Sequence, residues 1–508
     1  MTWEGTAVSL AVFLPVAGAL VIALVPRSRV SSARTLAVLF SGAALVVGIA
    51  ILFGFDYGSG SGLQFELHTT WIKSIGAGYH VGLDGISLPL FELTLLTTFL
   101  CAVYSLNRMP TGASPKAFLA LMLLLETGML GTFVAFDLAL FFVFWETVLV
   151  PMYFMIGVWG SGNRQYAATK FFLFTFFGSV FMLLAFIGLS FQATPHTFDI
   201  QFLQQHGGAI SHGLQLILFG GMFLGFAVKV PMWPLHTWLP DAHTEAPTVG
   251  SVLLAGILLK MGAYGFIRIA FPTLPYAAVK WAPYIAVLAV IAIVYASLAC
   301  LAQRDLKRLI AFSSVGHMGF VMLGIATMTT VGINAAIFGM VAHGVITGML
   351  FFEVGSIYDR YHTRQIAEIG GGVLRKMPKL GGALALTAIA SLGLPGLAGF
   401  WGEILALLGA YQPGPGLDVG LYRTLMVFGG IGTILTAGYL LWTVQRIDYG
   451  VVPERWDQVA LEDTTRVEWL SWAPLLALIV VLGLVPTVVF GITNDAVRAL
   501  TGFFTGGG

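Results

Sequence analysis

Charge is what this sequence has least of. Of its 508 residues, 10% are Asp, Glu, Lys or Arg and 57% are hydrophobic. A soluble domain carries about 25% charged residues, so this chain could not cover a water-facing surface. The deficit excludes a soluble enzyme or a nucleic-acid-binding module, and a net charge of +1 points to no charged partner. Cysteine is nearly absent. Cys101 and Cys300 stand alone in separate apolar runs, which excludes a disulfide framework, a cysteine metal site and an iron–sulfur centre, and leaves them as small packing residues. There is no G-x-G-x-x-G dinucleotide fingerprint and no haem-ligand pattern. The first apolar run, 7–25, has no basic residue before it and no A-x-A site after it, so it is expected to be a retained helix and not a cleaved signal.

What the chain has instead is long uninterrupted apolar runs, each long enough to cross a bilayer as a helix and none with the alternation of a barrel strand. They predict an all-α polytopic membrane protein of about fourteen spans: 7–25, 34–54, 86–106, 116–134, 137–157, 168–192, 213–239, 247–271, 282–302, 308–328, 331–355, 380–411, 422–445 and 469–492. Segments 55–83 and 193–212 are expected to be surface loops, and the charged segment 446–468 a solvated amphipathic connector. Connections after odd-numbered spans hold eighteen of the 25 Lys and Arg residues. The other side has only Lys73, Arg268, Lys280, Arg423 and Arg498. Basic loops stay in the cytoplasm, which predicts both termini on the non-cytoplasmic side.

Against this apolar background a few ionisable groups stand out. Lys229 ends the run GLQLILFGGMFLGFAVKV, just before Pro231 and Pro234. Neither proline can donate to the carbonyl four residues back, so the helix must break there, leaving the carbonyls of Ala227 and Val230 in need of other partners. Glu146 lies in LALFFVFWETVLVPM and is the natural partner of Lys229. A buried lysine holds its proton less tightly than an exposed one, and a nearby carboxylate restores its hold. The pair can therefore serve as a proton switch or as a static ion pair between two helices. Lys260, in SVLLAGILLKMGAYGFI, has no charged neighbour within its own run, Arg268 being two turns on and placed near the surface. An isolated cation at mid-membrane costs about 2.5–3.5 kcal/mol or more, so Lys260 is expected to face a wet interior. His317 and His343 occupy neighbouring spans, with Ser313, Ser314 and Thr347 in helical reach, and histidine can pass protons near neutral pH. Glu403 follows Pro395 in SLGLPGLAGFWGEILALL, a second broken helix rich in glycine. Glu126, Asp137 and Glu353 are weaker candidates, nearer the ends of their spans, and Asp84 is a helix cap or a functional acid.

The spacing has an internal rhythm. Lys229 comes 83 residues after Glu146, and Glu403 86 residues after His317. Within a single membrane domain, 1–508, this suggests a core over 115–445 built of two five-span repeats, about 116–271 and 282–445. The segments 1–114 and 446–508 would flank it. Units with an odd number of spans run in opposite directions, and inverted repeats with a broken helix in each are a transporter architecture.

Three stretches carry a resemblance. VKVPMWPLHTWLPDAHTEAPTVGSVLLAGILLKMGAYGFIR (228–268), FFVFWETVLVPMYFMIGVWG (141–160) and DLKRLIAFSSVGHMGF (305–320) resemble the antiporter-like membrane subunits of respiratory complex I, a family shared with the Mrp sodium/proton antiporters. The similarity is strongest over about 115–410. Glu403, where the L and N branches carry lysine, makes the chain look like the M branch of bacterial NADH:quinone oxidoreductase. The resemblance implies a bacterial inner-membrane subunit that translocates protons without redox chemistry of its own. NADH, FMN, iron–sulfur clusters and quinone would sit in partner subunits, and sister antiporter-like subunits would adjoin it. It implies a relay in which Glu146 and Lys229 are the glutamate–lysine pair, Lys260 the central lysine, His317 and His343 the linking groups and Glu403 the exit. An Mrp-type antiporter subunit is the alternative, and a scaffold whose charges only maintain packing is a third.

Overall fold

The computed structural model describes residues 3–58 and 62–505. Twelve helices among them are long and apolar enough to cross a membrane. The shorter helix Leu88–Tyr104 lies where a further span was expected. The expected span 380–411 is two pieces, Pro378–Ser391 and Gly399–Tyr411. Helices dominate because a chain in lipid must satisfy its backbone internally.

The helices are sorted by burial. Thr248–Thr273 is wholly buried, and Leu306–Ala326 and Thr330–Tyr361 nearly so. Val30–Gly54 and Val419–Tyr449 keep only a third of their residues inside. The outer helices present Phe53, Ile217 and Ile434 to the surroundings, as lipid-facing helices must. The inner ones approach one another through glycine. A Cβ on Gly262 would stand 2.7 Å from the carbonyl oxygen of Phe226, and one on Gly402 2.7 Å from Cα of Gly339. These contacts lock the Lys260 helix to the Lys229 helix and the Glu403 helix to the His343 helix.

The breaks follow the prolines. The helix His212–Lys229 stops at its lysine, and Trp238–Glu245 resumes after Pro231 and Pro234. The Ala227 carbonyl is not left for the ammonium, nor is that of Val228. Met232 N donates to Ala227 O at 2.9 Å, and the Trp238 indole donates to Val228 O at 2.9 Å. The expected span around Glu146 is interrupted between Leu138–Thr147 and Leu149–Trp159. Pro151, which cannot donate to Thr147, accounts for that.

Two segments expected to be loops are structured. Within 55–83 lies an antiparallel hairpin, β1 (Gln64–Ile72) and β2 (Ala77–Leu83), turned through Gly76 at φ +70°. Phe136 N donates to the His80 carbonyl at 2.8 Å, and Tyr79 meets Ser9 at 2.7 Å. The hairpin is thus bound to the membrane helices. Within 193–212 lies the short helix Ile200–His206. The connector 446–468 begins as a continuation of its span, and Glu468 is fully buried at its end, so it is docked on the bundle as much as solvated.

Candidate functional site

The centre of the site is Lys260. It sits in Leu259–Gly265, between two π-helical segments, Leu254–Leu258 and Phe266–Ala270. Such widened turns expose carbonyls and recur at functional positions. The Lys260 ammonium donates back to the carbonyl of Ala255, and lies 2.7 Å from Nδ1 of His343. Lys260 has no exposure at all, and the partners that its ammonium meets are the Ala255 carbonyl and His343.

From His343 the polar line continues. Its ring centre is 5.6 Å from that of His317. His317 holds Glu403 Oε1 at 2.9 Å through Nδ1 and Ser391 Oγ at 3.1 Å through Nε2. A cavity of about 30 Å³ lies among His317, His343, Thr347, Ser391 and Glu403, which is room for about one water. His343 Nε2 and Glu403 Oε2 are buried without a protein partner, so polar atoms are available to hold that water. The broken helix makes the arrangement possible. Gly393 and Gly396 take φ of +82° and +93°, which side chains disfavour, and a Cβ on Gly393 would lie 3.3 Å from the Glu403 carboxylate. The serines expected to serve His317 do not. Ser313 pairs with the Tyr439 hydroxyl at 2.6 Å and Ser314 donates to Ile310 O at 3.2 Å. The hydroxyl that reaches His317 comes from Ser391, on another helix.

Glu146 and Lys229 stand apart from this line. Lys229 is buried, with Nζ 4.9 Å from the centre of the Trp145 ring, and the Trp145 indole donates to Ser179 Oγ at 3.0 Å. Glu146 is half-buried, with Oε1 enclosed and unpartnered. The two charges interact through space but form no ion pair within 4.0 Å. No hydrogen bond among the described residues joins Lys229 to Lys260, although their helices pack at Gly262.

Other placements differ from the sequence reading. Arg268 is buried and paired with Asp84 at 2.5 and 2.6 Å, while Asp84 also accepts from Ile86 N and Ser87 N. Burial selects the paired form, since an unpaired guanidinium there would be costly. Glu126 is fully buried near the middle of Pro115–Val134, with both carboxylate oxygens unpartnered. Asp137 caps Leu138–Thr147, and Glu353 accepts from Thr387 Oγ1 at 2.9 Å. Cys101 and Cys300 are buried thiols.

Two groups escaped the sequence reading. His243 has no exposure, lies face to face with Phe351 at 4.5 Å, and has both ring nitrogens unpartnered. It lies within electrostatic range of both Lys260 and Lys307. Lys307 is buried and donates to the Ala246 carbonyl. It lines a cavity of about 520 Å³ on the side of the basic loops, together with Arg108, Glu245, Asp359 and Arg364. His243 lies within DAHTEAPT, a polar stretch where a histidine does not stand out as it does in an apolar run.

Comparison with known proteins gives a consistent answer. Residues 135–432 match the family described as NADH:quinone oxidoreductase/Mrp antiporter, transmembrane. The chain is 42% identical over 498 residues to NADH-quinone oxidoreductase subunit M of Rickettsia conorii, covering 97% of this chain and 98% of that one. It is 41% identical over 508 residues to subunit M of Rhodobacter capsulatus, covering 97% and 96%. Its structure superposes on a chain of respiratory complex I from Thermus thermophilus with TM-score 0.86 and 30% identity, over 98% and 99% of the two chains. A chain of the Mrp complex from Dietzia shares the fold, with TM-score 0.84, 21% identity, and coverage of 97% and 52%. The chain belongs to the NADH:quinone oxidoreductase/Mrp antiporter membrane family, in its subunit M branch.

Proposed function

We propose that this chain is a proton-translocating membrane subunit of a bacterial NADH:quinone oxidoreductase. It lies in the inner membrane among sister antiporter-like subunits, with both termini on the non-cytoplasmic side. NADH, FMN, iron–sulfur clusters and quinone are handled by partner subunits. Identity of 42% over nearly full length to a subunit M, against 21% to the Mrp chain, favours this reading over a sodium/proton antiporter.

The observation that carries the mechanism is the buried line Lys260–His343–His317–Glu403, with hydrogen bonds at both ends and a water-sized cavity in the middle. A proton taken up at the large cavity passes Lys307 and His243 to Lys260. From Lys260 it moves to His343 Nδ1, crosses by water to His317, and reaches the Glu403 carboxylate. Glu146 and Lys229, close enough to sense each other but unpaired, act as the switch. When a neighbouring subunit moves Glu146 toward or away from Lys229, the field along the line changes. Moving one charge against 100 mV costs about 2.3 kcal/mol. A hundredfold change in one group's proton affinity is worth about 2.7 kcal/mol, so a single switch suffices for one proton.

The test is proton uptake and NADH oxidation measured together in inverted membrane vesicles. Lys229→Ala and Lys260→Met, each in a fully assembled complex, are expected to lose most of the protons this chain contributes per NADH. An unchanged ratio in both would leave the charges as packing elements and the chain as a scaffold.

A further inference from the structure

The hairpin carries a group of side chains that proton transfer through the membrane does not use. β1 pairs with β2 so that His68 lies opposite His80. Cross-strand partners project to the same face, and the two rings stack with centres 4.1 Å apart. Glu66, two residues before His68, returns to that face because strand side chains alternate. Its Oε1 lies 2.9 Å from His80 Nε2. One ligand atom each from Glu66, His68 and His80 therefore falls within 4.8 Å of the other two. The fourth member is Asp199, from the other side of the ring, whose carboxylate holds His80 Nδ1 at 2.6 Å.

We propose that Glu66, His68 and His80 form a binding site for a divalent transition metal of the Zn²⁺ or Cu²⁺ class, with Asp199 as the carboxylate that orients His80. Imidazole suits zinc and copper, and two histidines with one carboxylate and water complete a four-coordinate zinc shell. A metal-bound histidine commonly gives its other N–H to a carboxylate, which fixes its tautomer and direction. Asp199 already does this. It aims Nε2 toward Glu66, to which Nε2 now donates; the ion takes the place of that proton, which is released on binding. Ligands at about 2.0–2.2 Å from a tetrahedral ion are roughly 3.3–3.6 Å apart. The 2.9 Å pair must open by a few tenths of an ångström, and the exposed His68 must turn its ring out of the stack. Both moves are local, because Glu66 and His68 are exposed while His80 is buried and held at both ends. The ion would clip β1 to β2 and to the loop before Ile200–His206. By the orientation proposed above, the hairpin lies on the side opposite the basic loops, and Glu66 and His68 are exposed there, so an ion reaches them without entering the membrane.

The test uses the intact complex, purified without a polyhistidine tag and equilibrated with micromolar Zn²⁺. Metal content after desalting, and the spin-resonance spectrum with Cu²⁺ at one equivalent, are read for the native chain, His68→Ala and Glu66→Gln. The native complex should retain one more zinc per complex than His68→Ala, with affinity at least tenfold higher. Its copper spectrum should show two coupled nitrogens, reduced to one by His68→Ala. His68 is exposed, so its loss leaves the hairpin folded, which His80→Ala need not. Equal zinc retention and identical copper spectra in all three complexes would overturn the site.

Discussion

His317 stands between an acid and a hydroxyl, with Glu403 at 2.9 Å on Nδ1 and Ser391 at 3.1 Å on Nε2. An ionised carboxylate only accepts, so it demands a proton on Nδ1; a neutral ring must then accept from Ser391 through Nε2. When the ring gains a second proton, Nε2 donates and Ser391 must reverse its hydroxyl. The serine is thus an adaptable partner for both states of the ring. Replacing Ser391 with Ala should keep the Glu403 contact but leave Nε2 without its partner in both states. The expected result is normal assembly and NADH oxidation, with this chain's share of the protons taken up per NADH reduced several-fold at saturating substrate. Uptake equal to the native value would remove Ser391 from the relay.

The Glu403 helix can approach His317 only because two glycines meet. A Cβ on Gly402 would lie 2.7 Å from Cα and 3.1 Å from N of Gly339, and backbone cannot retreat as a side-chain tip can. Gly402→Ala should push the helices apart, at a cost of about 1–3 kcal/mol typical of overpacking, and lengthen the His317–Glu403 contact. Thermal unfolding of the purified complex should begin earlier, and coupling should fall although every titratable group remains. An unchanged transition with native coupling would show that the seam can relax.

The gap between what the sequence conveys and what the fold adds has a simple physical shape. Apolar length marks spans directly, since bilayer thickness sets it, and prolines mark where a helix must stop, as after Lys229. A charge inside an apolar run also announces itself, which is why Lys260, His317, His343 and Glu403 could be picked out. Their partners could not. Ser313 and Ser314 are near His317 along the helix, but Ser391, 74 residues away, makes the contact. Arg268 looked like a loop residue because it ends an apolar run, and only the fold supplies Asp84, 184 residues distant. The hairpin was hidden by its surroundings: QFELHT alternates polar and apolar residues as a strand does, but it stands between glycine-rich stretches, and its pairing is settled by a partner strand.

Some buried charge in this chain serves stability alone, and the two kinds can be separated. Arg360 holds Glu468 through both terminal guanidinium nitrogens at 2.9 Å, and Ser356 adds a hydrogen bond at 2.7 Å. The pair anchors the start of Arg466–Leu484 to the long helix Thr330–Tyr361. Removing one member of such a pair leaves the other uncompensated, at a cost of about 3–5 kcal/mol. Glu468→Ala is therefore expected to lower the amount of assembled complex sharply. The fraction that does assemble should pump with the native number of protons per NADH. A full complement of complex with impaired coupling would move Glu468 from the stability set to the relay.

The small cavity offers the most selective test, because it can be filled without touching a titratable group. Ala342 lines it beside His343 and is nearly inaccessible from outside. Ala342→Val adds two methyl groups toward a space of about 30 Å³, which is enough to displace the one water it can hold. His343 and His317, with ring centres 5.6 Å apart, would then face each other across a dry gap. Proton transfer between rings that do not touch needs that bridge, so transfer should slow while Lys260–His343 and His317–Glu403 keep their contacts. The expected signature is a lower proton-to-NADH ratio that persists when the membrane potential is collapsed, with NADH oxidation in uncoupled vesicles unchanged. A native ratio in an assembled Ala342→Val complex would mean that the proton reaches Glu403 by another path.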